Sequence, residues 1–320
     1  STRFKSIVNI NTSQVNHQHN IKMESIQNAE RKFFDVVLSQ TFGTKGSFVH
    51  KLCRTITPYW IEFFGALIIT LTVALTNRSD DGFDATNQMA PIAIGAMVTA
   101  MLYSYGHVSG AHFNPSVTMA VFIRGKISLL TLIPYFAFQV AGAVAGATIA
   151  ARVVGGVQYL PAFELDHDAV STGDAFLLEF LYTYALCTTV LNTATTASLH
   201  GNQFYGIAIG FVLIAGITSI GPVTGAALNP AFATAFHVIH SNFSQSDLWV
   251  YWISGLMAGI CAGLTFHITN NEEIDLRFLS PEIKVETTLE HRAAAVGGQT
   301  NTYHEVCTVH LHDSCLFCRR

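Results

Sequence analysis

Apolar residues in this chain gather in six long runs, and polar stretches separate the runs. The runs cover about residues 58–76, 89–105, 129–153, 175–194, 204–220 and 248–268. Each has about the 17–25 residues that a helix needs to cross the hydrocarbon core of a bilayer. Two shorter apolar segments follow the second and the fifth run, and they are too short to cross. The pattern predicts an all-α membrane protein with six transmembrane helices and two re-entrant half-helices.

An Asn-Pro pair opens each of the two short segments. The motifs are Asn114-Pro115-Ser116 and Asn229-Pro230-Ala231. Asn caps a helix because its side-chain oxygen accepts a hydrogen bond from an unpaired backbone N–H, and Pro suits the first helical position. A helix N-terminus also carries about half a positive charge. We therefore expect the amides of Asn114 and Asn229 to line a pore at mid-membrane, where they offer hydrogen bonds to a neutral solute and cations are repelled.

An internal repeat relates the two halves of the chain. Glu62 in the first run and Glu179 in the fourth precede the two Asn-Pro pairs by about the same distance. Each copy holds three spans, and because three is odd, the second copy is inverted in the membrane. A carboxylate inside a span is energetically costly. We expect both to support the loops, by accepting hydrogen bonds from the non-helical backbone that leads into each half-helix. A proton relay is the alternative.

Composition supports the membrane assignment and argues against nucleic-acid binding. The chain has 320 residues, of which 50% are apolar and 12% are charged, and its mean hydropathy is +0.38. A soluble domain has about 25% charged residues. The formal net charge is −4, and no run rich in Lys or Arg is present. Such a chain is expected to reside in a lipid bilayer and to have no nucleic-acid partner.

Basic residues near the spans predict the orientation. One side collects Lys45, Lys51, Arg54, Arg124 and Lys126, and the other has only Arg78 and Arg152 with most of the loop acids. The positive-inside rule makes the first side cytoplasmic, so both termini are predicted to be cytoplasmic. The sequons at Asn77 and Asn242 then lie outside, and an unmodified loop Asn is the preferred interpretation of both. The pattern leaves open whether the membrane is the plasma membrane or an internal one.

Three segments are expected along the chain. Residues 1–54 form a cytoplasmic N-terminal tail, residues 55–270 a channel domain, and residues 271–320 a disordered cytoplasmic tail. Because Met23 opens a polar segment, one interpretation places residues 1–22 outside the native protein. The C-terminal tail carries three of the six cysteines together with histidines, but their spacing fits no familiar zinc site. We therefore expect no metal, no cofactor and, since no nucleophile-base set converges in the spans, no enzymatic activity.

The motif residues resemble a known family. The segments Gly106-His107-Val-Ser-Gly-Ala-His112-Phe-Asn114-Pro-Ser and Thr224-Gly to Asn229-Pro-Ala are similar to those of the aquaporins, the major intrinsic protein family. The likeness covers about residues 55–270 and includes Gln139 in the third span. It implies a right-handed helical bundle with inverted three-span repeats, one pore per protomer and, usually, a homotetramer.

The resemblance also places a selectivity filter, and this chain departs from the family there. By motif position the filter residues are Ile94, Ile217, Ala226 and Phe232. Phe232 stands where the family usually has an arginine, so the filter is expected to be hydrophobic and uncharged. Ser116 replaces the usual Ala of the first motif, and a half-helix should tolerate this small change.

Short loops around the half-helices and Tyr251-Trp252 at the start of the sixth span resemble the water-selective branch of the family. The expected function is a passive channel for water and, as a further class, small neutral solutes, with ions excluded. A glycerol- or urea-like facilitator and a closed, structural aquaporin-like protein stay open as alternatives. A secondary transporter is a third, although beyond Glu62 and Glu179 the spans offer none of the charged midplane residues that transporters use.

Overall fold

The computed structural model describes residues 48–79, 82–83, 89–241 and 247–270. Two units divide the chain, Ser1–Thr57 and Pro58–Arg320. The first described helix begins in the first unit. The predictions for residues 1–47, for the sequon at Asn242 and for the tail after Asn270 concern parts of the chain outside the described residues.

Helices dominate the described residues, in the order that the apolar runs predict. They are α1 (Phe48–Thr76), α2 (Ala90–Ser109), α3 (Pro115–Ile123), α4 (Leu129–Val154), α5 (Thr172–Ala194), α6 (Tyr205–Thr224), α7 (Pro230–His240) and α8 (Leu248–Thr269). Short 3₁₀ turns lie at Val157–Tyr159 and Ala197–Leu199, and the two-residue strands β1 (Arg78–Ser79) and β2 (Gly82–Phe83) pair antiparallel. Two short helices, α3 and α7, thus interrupt a series of long ones.

Five of the long helices are long and apolar enough to cross a membrane, judged by length and composition over the described residues. They are Leu52–Thr76, Leu129–Val154, Thr172–Ala194, Tyr205–Thr224 and Leu248–Thr269. The remaining predicted span, α2, has 20 residues, but its last turns carry Ser104, His107 and Ser109. The first helix begins at Phe48, inside the segment predicted as a tail, and continues through Pro58.

Each short helix packs against a long helix from the other half of the chain. Helix α3 lies against α8, and α7 lies against α4. The α3–α8 contact is close because α8 presents glycine: a Cβ at Gly259 would overlap the carbonyl oxygen of Ser116. Because each short helix packs against the other half of the chain, the N-termini of α3 and α7 come together inside the bundle.

Candidate functional site

Asn114 and Asn229 cap the two short helices. The Asn114 Oδ1 accepts a hydrogen bond from the Ser116 N–H at 2.8 Å, and the Asn229 Oδ1 accepts one from the Ala231 N–H at 3.0 Å. Both residues have extended backbone, and Pro occupies the first turn of each helix. The expected combination of an Asn cap and a Pro start is therefore present in both halves.

The two caps are also bonded to each other's loops. The Asn114 Nδ2 donates to the Leu228 carbonyl at 2.8 Å, and the Asn229 Nδ2 donates to the Phe113 carbonyl at 2.9 Å. The sequence analysis did not predict these crosswise bonds. One N–H of each amide holds the opposite loop, and one remains for another partner.

The backbone before each Asn is unusual. Ala111 and Phe113 have φ of 50° and 51°, and Ala226 and Leu228 have φ of 49° and 48°. Residues with a Cβ avoid this left-handed region, at a cost of about 1–2 kcal/mol each. Surrounding hydrogen bonds must therefore hold both loops in this conformation.

Glu62 supplies much of that restraint in the first loop. Its side chain is fully buried. One oxygen accepts hydrogen bonds from the Ser109 hydroxyl at 2.7 Å and the His112 N–H at 3.0 Å. The other accepts from the Phe113 N–H at 2.6 Å and the Gln139 amide at 2.8 Å. All the good acceptor positions are occupied, which favours a supporting role over a proton relay.

Glu179 does the same in the second loop. It accepts hydrogen bonds from the Thr224 hydroxyl at 2.6 Å, the Ala227 N–H at 3.1 Å and the Leu228 N–H at 3.0 Å. It is 1% exposed. The pair of glutamates therefore occupies equivalent places behind the two loops.

Two tyrosine hydroxyls complete the support, and sequence reasoning gave them no role. The Tyr135 hydroxyl donates to the Ser109 carbonyl at 2.8 Å, and the Tyr251 hydroxyl donates to the Thr224 carbonyl at 2.7 Å. Both rings are almost fully buried. The signal was available, because the two tyrosines are spaced like the rest of the internal repeat.

A cavity extends from the asparagine pair between the C-terminal halves of α2 and α5 and the first half of α6. It is lined mainly by aliphatic side chains. The polar side chains of its lining belong to His112, Asn114, Asn229 and Tyr205. Among the described residues that line it there is no Lys, Arg, Asp or Glu. Such a wall suits a neutral solute.

The predicted filter residues are only partly gathered at this cavity. Phe232 lines it and is 8% exposed. Ile94 lies in the same apolar cluster as Phe232, and Ile217 packs against both that cluster and the one that contains Ala226. None of Ile94, Ile217 and Ala226 is among the described residues that line the cavity. Their place in a constriction stays a prediction.

The described residues show no group of three or more His, Cys, Asp or Glu side chains that could hold a metal ion. Cys53, Cys187 and Cys261 are free thiols. The Cys- and His-containing tail that was weighed as a zinc ligand set lies outside the described residues.

Long apolar helices around two opposed half-helices that begin at buried asparagines define a multi-pass α-helical membrane protein with a re-entrant core. The family model described as major intrinsic protein matches residues 49–266. The chain belongs to the major intrinsic protein family, whose members are passive channels for water or small solutes.

Individual relatives agree with this assignment. The lens fiber major intrinsic protein of Lithobates pipiens is 32% identical over 206 residues, which are 64% of this chain and 78% of the relative. Aquaporin NIP3-1 of Arabidopsis thaliana is 34% identical over 236 residues, covering 69% and 67%. The crystal structure of the aquaglyceroporin from Plasmodium falciparum matches with a TM-score of 0.59 at 19% identity, covering 70% of this chain and 99% of that one. The predicted aquaporin-like fold is thereby confirmed.

Proposed function

We propose that this protein is a passive channel that conducts water and small neutral solutes past Asn114 and Asn229 and excludes ions. The observation that carries the proposal is the reciprocal bonding of the two caps, which fixes both amides beside one apolar cavity. Each amide keeps one N–H that can donate to a passing oxygen. A solute therefore finds hydrogen bonds at the point where it has lost most of its hydration.

Ion exclusion follows from the same arrangement. The N-termini of α3 and α7 meet at the asparagine pair, and each carries about half a positive charge. No carboxylate among the described lining residues compensates a cation there. An anion would have to give up its hydration between aliphatic walls. Neutral solutes avoid both penalties.

The constriction is proposed to be apolar. Phe232 with Ile94, Ile217 and Ala226 offers neither a fixed charge nor a side-chain donor, whereas an arginine would supply both. Passage then depends on size and on the free energy needed to dehydrate the solute. We therefore expect a low water permeability per pore.

Stopped-flow light scattering of proteoliposomes tests the proposal. Water, glycerol and urea gradients are compared with empty vesicles of the same lipid, and a potassium gradient with a fluorescent reporter is run in parallel. Flux of water or of a neutral solute above the empty vesicles, without potassium flux, is expected. If none of the three neutral species exceeds the background, the closed structural alternative replaces the channel, with Phe232 as the residue that blocks it.

Assembly and topology extend the proposal. We assign the channel to residues 55–270, with cytoplasmic tails at residues 1–54 and 271–320 and a homotetrameric assembly. Cysteine labelling of intact cells with a membrane-impermeant reagent should modify Gly82→Cys and leave Ser198→Cys at the level of the unsubstituted chain. The reverse pattern would invert the orientation, and light scattering after gel filtration measures the assembly.

A further inference from the structure

The linker between α4 and α5, residues 155–171, joins the two repeats and belongs to neither of them. Phe163 lies in the middle of this linker with a φ of 54°. A bulky side chain avoids this left-handed region, so the surrounding contacts must hold the backbone there. A strained residue that its neighbours fix in place is a candidate for a role beyond the connection of two helices.

Two side chains from the second half of the chain anchor the linker on either side of Phe163. His240, at the end of α7, donates from its Nε2 to the Pro161 carbonyl at 3.1 Å. Asp247, just before α8, accepts a hydrogen bond from the Leu165 N–H at 3.3 Å. The anchored residues are the second before and the second after Phe163, so the backbone at Phe163 is restrained from both sides.

The Phe163 ring contacts three parts of the site around the second half-helix. A Cβ at Gly225 would lie 3.0 Å from the ring, so the ring packs directly on the backbone where the second Asn-Pro loop begins. The ring centroid is 5.1 Å from that of Phe236 on α7. It is 6.2 Å from that of Tyr251, whose hydroxyl binds the Thr224 carbonyl. Phe163 therefore touches the loop, its supporting tyrosine and the half-helix.

These contacts connect Phe163 to Phe232 at the cavity. Phe236 follows Phe232 by one helical turn and lies on the same face of α7. Both belong to one apolar cluster, and Phe163 packs against that cluster. Phe163 also packs against a second apolar cluster, which contains Ala227 of the Asn-Pro loop. One ring thus restrains both the residues before Asn229 and the helix after it.

The two halves of the chain differ in what supplies this aromatic neighbour. Tyr135, the counterpart of Tyr251, is contacted edge-on by Tyr59 of α1, with the centroids 5.6 Å apart and the rings at 88°. Phe163 contacts Tyr251 at 90°. A long helix of the bundle provides the neighbour in the first half, and the linker provides it in the second. The position of the second loop therefore depends on a segment outside the repeats.

We propose that Phe163 is a positioning residue for conduction, which holds the second Asn-Pro loop and the beginning of α7 and thereby keeps Phe232 at the cavity. This inference rests on the proposed channel function. Phe163 is not among the described residues that line the cavity, so the space that its ring fills lies outside the path. When a large side chain is removed, its neighbours relax into the vacated space. Phe232 then moves away from the path, and the larger of two solutes gains more.

The experiment measures glycerol and water flux in proteoliposomes at a matched density of folded protein, with thermal unfolding recorded beside it. We expect Phe163→Ala to raise the glycerol flux severalfold and the water flux by less. Phe163→Tyr keeps the ring and should keep the wild-type ratio of the two fluxes. Phe176→Ala is the matched control and should also keep this ratio. Phe176 is half-buried and packs against the same cluster as Ala227, but its ring lies beside Trp249, with centroids 6.4 Å apart.

A double variant separates positioning from a general loss of stability. If the ring acts through Phe232, Phe163→Ala should add little to the flux of Phe232→Ala, whereas a general loosening of the fold would act equally in both backgrounds. An unchanged or lower glycerol-to-water ratio in folded Phe163→Ala would overturn the inference and leave the channel standing. An equal gain in both backgrounds would do the same.

Phe163→Leu carries the comparison if Phe163→Ala yields no folded protein. Leucine lacks the reach of the ring but keeps an apolar side chain, so a smaller rise of the same ratio is expected, and an unchanged ratio would overturn the inference. Absence of flux in the wild type above empty vesicles would overturn the channel function and this inference together.

Discussion

The two Asn-Pro loops are built on one backbone plan but differ in the chemistry of their side chains. In both, an Asn caps the half-helix and donates to the opposite loop, a glutamate accepts from the loop N–H groups, and a tyrosine hydroxyl binds the carbonyl where the preceding helix ends. Most of the shared contacts involve backbone atoms of the loops, and the hydroxyls of Ser109 and Thr224, which donate to the glutamates, are the side-chain exception. These contacts depend little on the identity of the other side chains in the loops.

The differences lie in the other side chains around the two loops. The first loop adds Gln139, Thr118 and His112, whereas the second has alanines at the places of Thr118 and His112. Three residues after each Asn, the first half-helix presents Val117 to the cavity and the second presents Phe232. Repetition thus provides the frame, and selectivity is to be sought where the repeats disagree.

Removing the glutamates should produce the largest effect, since it attacks the shared frame. Glu62→Leu leaves four donors without their acceptor and Glu179→Leu leaves three. Each stranded buried group costs about 1–3 kcal/mol. We expect both variants to lose most of their folded yield, with Glu62→Leu the worse. Fluorescence-detected gel filtration and thermal unfolding measure this. A normal melting profile in either variant would show that the loop keeps its conformation without the glutamate.

Changing the capping asparagines should have the second-largest effect, which is a large decrease in flux. Asn114→Asp and Asn229→Asp each replace an amide donor with a carboxylate that faces the carbonyl of Leu228 or Phe113. Loss of the crosswise bond and the added repulsion should lower permeability by about tenfold or more, or reduce expression. Because the bonds are reciprocal, the two variants should behave alike. Unchanged expression and flux in both would remove these amides from the conduction path.

The asymmetry three residues after each Asn predicts a moderate gain of function. Phe232→Ala should raise the flux of water and of glycerol severalfold, because the aromatic ring is expected to narrow the path and offers no hydrogen bond. Val117→Ala removes less volume at the matching place of the first repeat and serves as the control. If neither solute moves faster through Phe232→Ala than through the wild type, the ring does not limit passage.

The smallest effect is expected from the tyrosine hydroxyls. Tyr135→Phe and Tyr251→Phe each remove one donor from a backbone carbonyl, at 2.8 Å and 2.7 Å respectively. A single neutral hydrogen bond contributes about 1 kcal/mol to the free energy of unfolding. Thermal unfolding should show two small and similar decreases. A large decrease for only one of them would break the equivalence of the two loops.

Much of the fold could be predicted because its signals are local. Run length located the spans, and Asn-Pro gave the starts of α3 and α7 to the residue. The crosswise bonds could not be predicted, since Asn114 and Leu228 are far apart in sequence and meet only through the packing of the whole bundle. The left-handed backbone at Ala111, Phe113 and Leu228 could not be predicted either, because none of these residues is a glycine.

The packing of each short helix against the other half of the chain has a consequence for how the chain folds during synthesis. Helix α3 is synthesised early, but it packs against α8, which is the last of the described helices to be synthesised. Until then Asn114 also lacks the Leu228 carbonyl to which its amide donates. Contacts between residues so distant in sequence form late and slowly. The first half-helix therefore lacks its contact with α8 until the second half of the chain has been synthesised.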